Sequence, residues 1–114
     1  MTIRVPCGTY YGENDELVIV GGHHDTVYHG AGAVDDSSGT ASVLELATMF
    51  SEYIADNGVP ERTLRFCTWG GEEEGLWGST AYVQEMNQEL AENLRLYINL
   101  DMNHVDIDLS LIHI

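Results

Sequence analysis

The residues with the greatest chemical capacity in this chain are histidines and carboxylates, and they fall in four short groups. These are Gly22-His23-His24-Asp25, Asp35-Asp36, Glu72-Glu73-Glu74 and the single Asp101. An imidazole nitrogen beside carboxylate oxygens is a donor set suited to zinc or a similar divalent ion. Carboxylates brought together without a cation repel one another, so convergence of these groups implies a metal. Singly, each group has a plainer explanation. A lone His-X-Asp is most often a solvated loop, and three successive glutamates are usually surface. His29 reads as a loop histidine, Glu74 as solvent-facing, and Trp69 and Trp77 as packing residues. The weight lies in all four groups falling at the ends of predicted elements.

Those elements are legible in the apolar pattern. Residues 17–22 (LVIVGG) form a β-branched run closing on a glycine pair, which predicts a buried strand leading into His23. The small, glycine-rich residues 30–34 predict a loop. A helix is predicted over 37–55, with Val43, Leu44, Leu46, Ala47, Phe50, Tyr53 and Ile54 at helical spacing. Asp36, Ser37 and Ser38 are N-cap candidates. Asn57-Gly58 and Pro60 stop the helix. Residues 62–69 (RTLRFCTW) predict a second strand running into the glutamates, 75–78 a turn, and 79–86 a short helix. Residues 88–93 either extend that helix or form a separate turn, and 95–101 (RLYINLD) predict a third strand. This order predicts a three-layer αβα sandwich with a mostly parallel, mixed sheet. In such sheets ligands bind beyond the carboxyl ends of the strands, where these polar groups fall.

Composition narrows the function classes. The 114 residues carry 19 acidic against 4 basic side chains, a net charge of −15. The four basic residues are all arginines (Arg4, Arg62, Arg65, Arg95). That field repels nucleic acid and anionic membranes, so neither is an expected partner. Acid excess without lysine resembles proteins of salt-accumulating halophiles, where concentrated cation screens self-repulsion. Cys67 lies in an apolar run and is expected to be a buried thiol, not half of a bridge with Cys7. No stretch is apolar and long enough to span a membrane. No signal-peptide layout is visible at the N-terminus, which leans the expected location towards the cytoplasm.

Four segments, VGGHHDTV, GAVDDSSGTASVLELA, RTLRFCTWGGEEEGLWGS and INLDM, resemble the co-catalytic zinc peptidases of clan MH, aminopeptidase Y/S type, in order and spacing. The resemblance implies a phosphorylase/hydrolase-like zinc exopeptidase fold and two zinc ions. It implies that His23 and Asp101 ligate the first zinc, Asp35 bridges both, and Glu73 ligates the second. It implies that Glu72 is the general base and that Asp25 is the carboxylate orienting His23. His24 matches a variable position and is expected not to be a ligand. A cis peptide bond between Asp35 and Asp36 is also expected from the family. Peptides are the implied substrates; oligomeric state is left open.

The resemblance further implies a second-zinc histidine in a downstream segment not matched here, so residues 1–108 are expected to be the N-terminal part of a catalytic domain. His113 is rejected as that ligand. The ending LSLIHI, read back into codons, resembles a transposase mosaic-end adaptor, so residues 109–114 are expected to be a non-native tail. The alternatives are a carboxypeptidase or amidohydrolase on the same core, a glutaminyl-cyclase-like enzyme, and a non-catalytic receptor-like domain. Basic pocket residues downstream would favour the first, single-zinc binding the second, and lost ligands the third.

Overall fold

The computed structural model describes residues 2–103, so His113 and the expected tail lie outside the described residues. Along the chain run β1 (Cys7–Tyr10), β2 (Leu17–His23), α1 (Ser37–Asn57), β3 (Thr63–Trp69), α2 (Trp77–Glu85), α3 (Asn87–Asn93) and β4 (Leu94–Asn99). The sheet order is β1-β3-β2-β4. β2 pairs parallel to both β3 and β4, while β1 pairs antiparallel to β3. The sheet is therefore mixed and mostly parallel, as its alternating strands and helices predict.

β2 is central and buried on both faces, which is why it reads as a continuous apolar run without polar alternation. On one face Val20 and Phe66 meet Val43 of α1, with Leu46, Ala47 and Phe50 packed around them. On the other, Leu17, Ile19, Cys67 and Trp69 are covered by Tyr82 of α2 and Leu90 of α3. Each fully buried side chain of this kind stabilises the fold by about 1.5–3 kcal/mol. The stripe of α1 that faces the sheet is Val43, Leu46, Ala47 and Phe50, at i, i+3, i+4 and i+7. Leu44 and Tyr53 lie off that stripe and are exposed. Asp36 caps the helix by accepting from the Gly39 N–H at 2.9 Å, and Gly58 closes it at φ 85°.

Two features differ from the sequence expectation. Cys67 is not a free thiol: it is disulfide-bonded to Cys7, which stands directly opposite it in the β1–β3 pair. β1 has only four residues, follows Pro6 and contains a glycine, so no alternation announces it. Without that strand the partner of Cys67 is invisible in the sequence. The first short helix, α2, also starts two residues early, at Trp77, because Leu76 takes the left-handed conformation (φ 60°) and ends the turn there.

Arg65 of β3 is buried and grips α3. Its guanidinium donates two parallel hydrogen bonds to Glu89, at 2.9 and 3.1 Å, and one to the Tyr82 hydroxyl at 2.8 Å. The Arg65 hydrogen bonds hold the Glu89 carboxyl below its ordinary range, against a smaller opposing effect of burial. Among the described residues no helix is long and apolar enough to cross a membrane.

Candidate metal centre

The parallel strands β2, β3 and β4 end on the same side of the sheet, and the loop into α1 arrives there too. His23 is the last residue of β2 and is 3 % exposed. Its Nε2 lies 2.9 Å from an Asp35 carboxylate oxygen, 3.8 Å from Glu72 and 3.9 Å from Asp101. Its Nδ1 lies 3.0 Å from the backbone carbonyl of Asp25, with a carboxylate oxygen of the same residue at 3.5 Å. The ring is thus held from behind by Asp25, and its free edge faces the acids.

Asp25 has a second task. Its two carboxylate oxygens accept the backbone N–H groups of Glu72 and Glu73, at 3.0 and 3.1 Å. The turn after β3 is pinned to the loop after β2 in this way, which fixes both glutamates relative to His23. β4 is fixed differently. Trp69 Nε1 donates to the Tyr97 hydroxyl at 2.8 Å, and that hydroxyl donates to Asn99 at 2.7 Å, just ahead of Asp101. The Asp35–Asp36 peptide bond is cis, as expected from the family resemblance.

Ligand atoms within 4.8 Å of one another form two groups, His23-Asp35-Asp101 and His23-Glu72-Glu73. The first matches the implied ligands of one zinc. The second places Glu73 beside His23 and Glu72, so the single imidazole stands between two sets of carboxylates. Three of the four arginines are engaged elsewhere: Arg62 and Arg95 with Glu16, and Arg65 with Glu89. Glu73 also has a buried carboxylate oxygen, Oε1, with no hydrogen-bond partner. A buried acceptor without a partner is costly unless a donor or a cation completes it. One imidazole and several carboxylates, with that orphaned oxygen among them, fit a zinc-type ion.

The electrostatics reflect this crowding. Burial opposes protonation of His23, but Asp36, Glu72, Asp35 and Asp101 together raise its pKa above the ordinary value. Burial pushes the Glu72 carboxyl up, and repulsion from Glu73, Asp101 and Asp25 adds to it, against the pull of His23. Burial also opposes ionisation of Asp25, yet the two backbone N–H groups outweigh it and hold that carboxyl low. A cleft of about 420 Å³ opens at the rim, and its lining includes His23, Glu72 and Asp101 together with the apolar or aromatic Leu76, Tyr82 and Val83.

Residues 7–113 match the family model described as Peptidase family M28. The chain belongs to peptidase family M28. It is 39 % identical over 101 residues to an aminopeptidase of Pseudomonas aeruginosa, and 36 % identical over 101 residues to aminopeptidase Y of Saccharomyces cerevisiae. Each match covers 89 % of this chain and 18 % of the relative. The structure of a zinc aminopeptidase from Bacillus subtilis is similar with a TM-score of 0.72 at 31 % identity, over 84 % of this chain and 23 % of that one. The chain therefore spans about a fifth of the length of these M28 relatives. It includes the strand-end rim that brings together His23, Asp25, Asp35, Glu72, Glu73 and Asp101.

His24, His29 and Glu74 belong to neither ligand group. The sequence offers Asp36 as half of an acid pair and as a helix cap, without a task of its own at the site. It is in fact 1 % exposed and also accepts the backbone N–H of His23 at 3.1 Å. The available signal was the acid pair itself, since a cap needs only one carboxylate.

Proposed function

We propose that this chain forms the N-terminal, metal-binding part of the catalytic domain of a zinc aminopeptidase that hydrolyses N-terminal peptide bonds. The observation that carries this is the meeting of His23 with Asp35, Glu72, Glu73 and Asp101 at one rim, with Glu73 Oε1 left without a partner. Aminopeptidases among the relatives and a zinc aminopeptidase among the similar structures support the same reading. The acid excess without lysine fits a protein that works in concentrated salt.

In this reading His23, Asp35 and Asp101 would hold one zinc ion, and Asp35 and Glu73 would contribute to a second. Bound there, zinc would polarise the scissile carbonyl and lower the pKa of a water. Glu72 takes a proton from the attacking water and gives it to the departing amine. Its backbone N–H, fixed by the Asp25 carboxylate, keeps its side chain on the cleft side of His23. Asp25 also holds the ring so that Nε2 faces the rim. The His23 and Glu72 pKa values are raised in the metal-free protein, so protons compete with a cation for these groups at higher pH than they would at ordinary ones.

The test uses the catalytic domain extended to the length of its relatives. Glu72→Gln is expected to keep its zinc content and to lose turnover of a leucyl anilide by roughly 10²–10⁴-fold. Asp35→Ala is expected to lose metal as well as turnover. Metal analysis beside the anilide assay separates the two, and full activity in Glu72→Gln removes that residue from the mechanism.

A further inference from the structure

We propose that Asp36 is the positioning residue of this centre, a buried carboxylate that clamps together the three segments bearing His23, Asp35 and Asp101. The proposal rests on the zinc-site reading above. Asp36 Oδ2 accepts the backbone N–H of His23 at 3.1 Å. Its Oδ1 accepts the N–H of Gly39 at 2.9 Å and that of Met102 at 3.1 Å. The three donors belong to the end of β2, the first turn of α1 and the bend after β4. His23 carries one clamped amide itself, Asp101 immediately precedes another at Met102, and Asp35 adjoins the clamping residue.

A helix cap uses only the bond to Gly39. The other two bonds leave the helix and reach separate strand ends, so capping does not account for them. The surroundings are built for this approach. A Cβ at position 22 would come within 2.7 Å of the Leu100 carbonyl and 3.0 Å of Asp36 Oδ2. A Cβ at position 39 would collide with the same carbonyl and with both Asp36 oxygens. Gly22 and Gly39 together leave room for the Asp36 carboxylate, which a side chain at either position would crowd.

The clamp needs two acceptor oxygens. An asparagine has one oxygen and one NH₂, which would face an N–H with another donor. Asp36→Asn is therefore nearly isosteric but cannot hold all three segments. Partners that orient metal ligands typically contribute 10–100-fold to metal affinity, so Asp36→Asn is expected to weaken zinc binding by roughly that factor.

Zinc dissociation constants of the 114-residue chain, measured by equilibrium dialysis in high salt, test this. Phe50→Ala, in the α1 core eleven residues beyond Gly39, is the control for lost stability and is expected to stay within about twofold of wild type. Equal weakening in both variants, or unchanged affinity in Asp36→Asn, overturns the clamp. Failure of the wild-type chain to bind zinc overturns the zinc-site reading, and the positioning role with it. Amide hydrogen exchange of the metal-free wild type needs no variant: His23, Gly39 and Met102 are expected to be protected. Exchange of the Met102 amide as fast as that of a solvent-exposed amide overturns the clamp even if Asp36→Asn does not fold.

Discussion

His23 is the one imidazole shared by both groups of ligand atoms, so the rim's preference for zinc over harder cations depends on its ring. A second ion in this chain would meet carboxylates without another histidine among the described residues of those groups. The chain is accordingly expected to bind one zinc tightly. His23→Ala should abolish that binding, whereas Glu73→Gln, outside the His23-Asp35-Asp101 group, should leave it largely intact, and calorimetric titration in high salt checks both stoichiometry and order. Two tight sites in the wild type would show that carboxylates suffice. At this scale the sequence is informative where chemistry and position coincide: a histidine after a β-branched run and an acid pair before a helix are visible as text. Asp36 is opaque for the opposite reason. A capping aspartate and a buried one that accepts from three segments have the same local sequence, and only the folded chain brings the Met102 amide to it.

The elements were legible in proportion to their length and apolar pattern. β2, α1 and β3 announce themselves because each buries a regular set of side chains. β1 does not, since four residues with one glycine carry too little pattern, and the disulfide it makes was hidden with it. That bond holds a short edge strand to β3. Replacing both cysteines by serine is expected to lower stability by about 2–4 kcal/mol, read as a lower urea midpoint. An unchanged midpoint would mean that β1 stays paired without it. The link between β3 and α3 is polar instead. Glu89→Ala leaves the buried Arg65 guanidinium without its bidentate acceptor and should cost about 2 kcal/mol. Its pH signature has a definite sign. The folded-state pKa of Glu89 is depressed, so its contribution is complete above the unfolded-state value and is lost as pH falls through the folded one. Glu89→Gln should flatten the acid limb of the stability profile in that window, and an unaltered limb would assign acid sensitivity to other carboxylates.

At the scale of the molecule, a net charge of −15 on 114 residues opposes compaction everywhere, and most at the rim where acids meet without a cation. Screening lengths shrink from about 10 Å at 0.1 M salt to about 3 Å at 1 M. The thermal midpoint of the metal-free chain is therefore expected to climb steeply between those concentrations, and zinc to substitute for part of the salt. A midpoint indifferent to potassium chloride, followed by circular dichroism, would show that the charges are too dispersed to matter. The αβα layering was legible because alternating strands and helices permit few arrangements. The order of strands was not, since β2 lies between β3 and β4, and nothing in the sequence of either declares which flank it takes. That central placement bears on how the chain comes into being. β2 is made early, yet both of its neighbours are made after it, and its second edge is completed only when Leu94 reaches Leu17 across most of the chain. During synthesis on the ribosome, the apolar β2 must therefore wait with an unsatisfied edge, first for β3 and then for β4. Asp101 emerges last of the rim acids, so the cage for a cation cannot close before nearly the whole described chain has been translated.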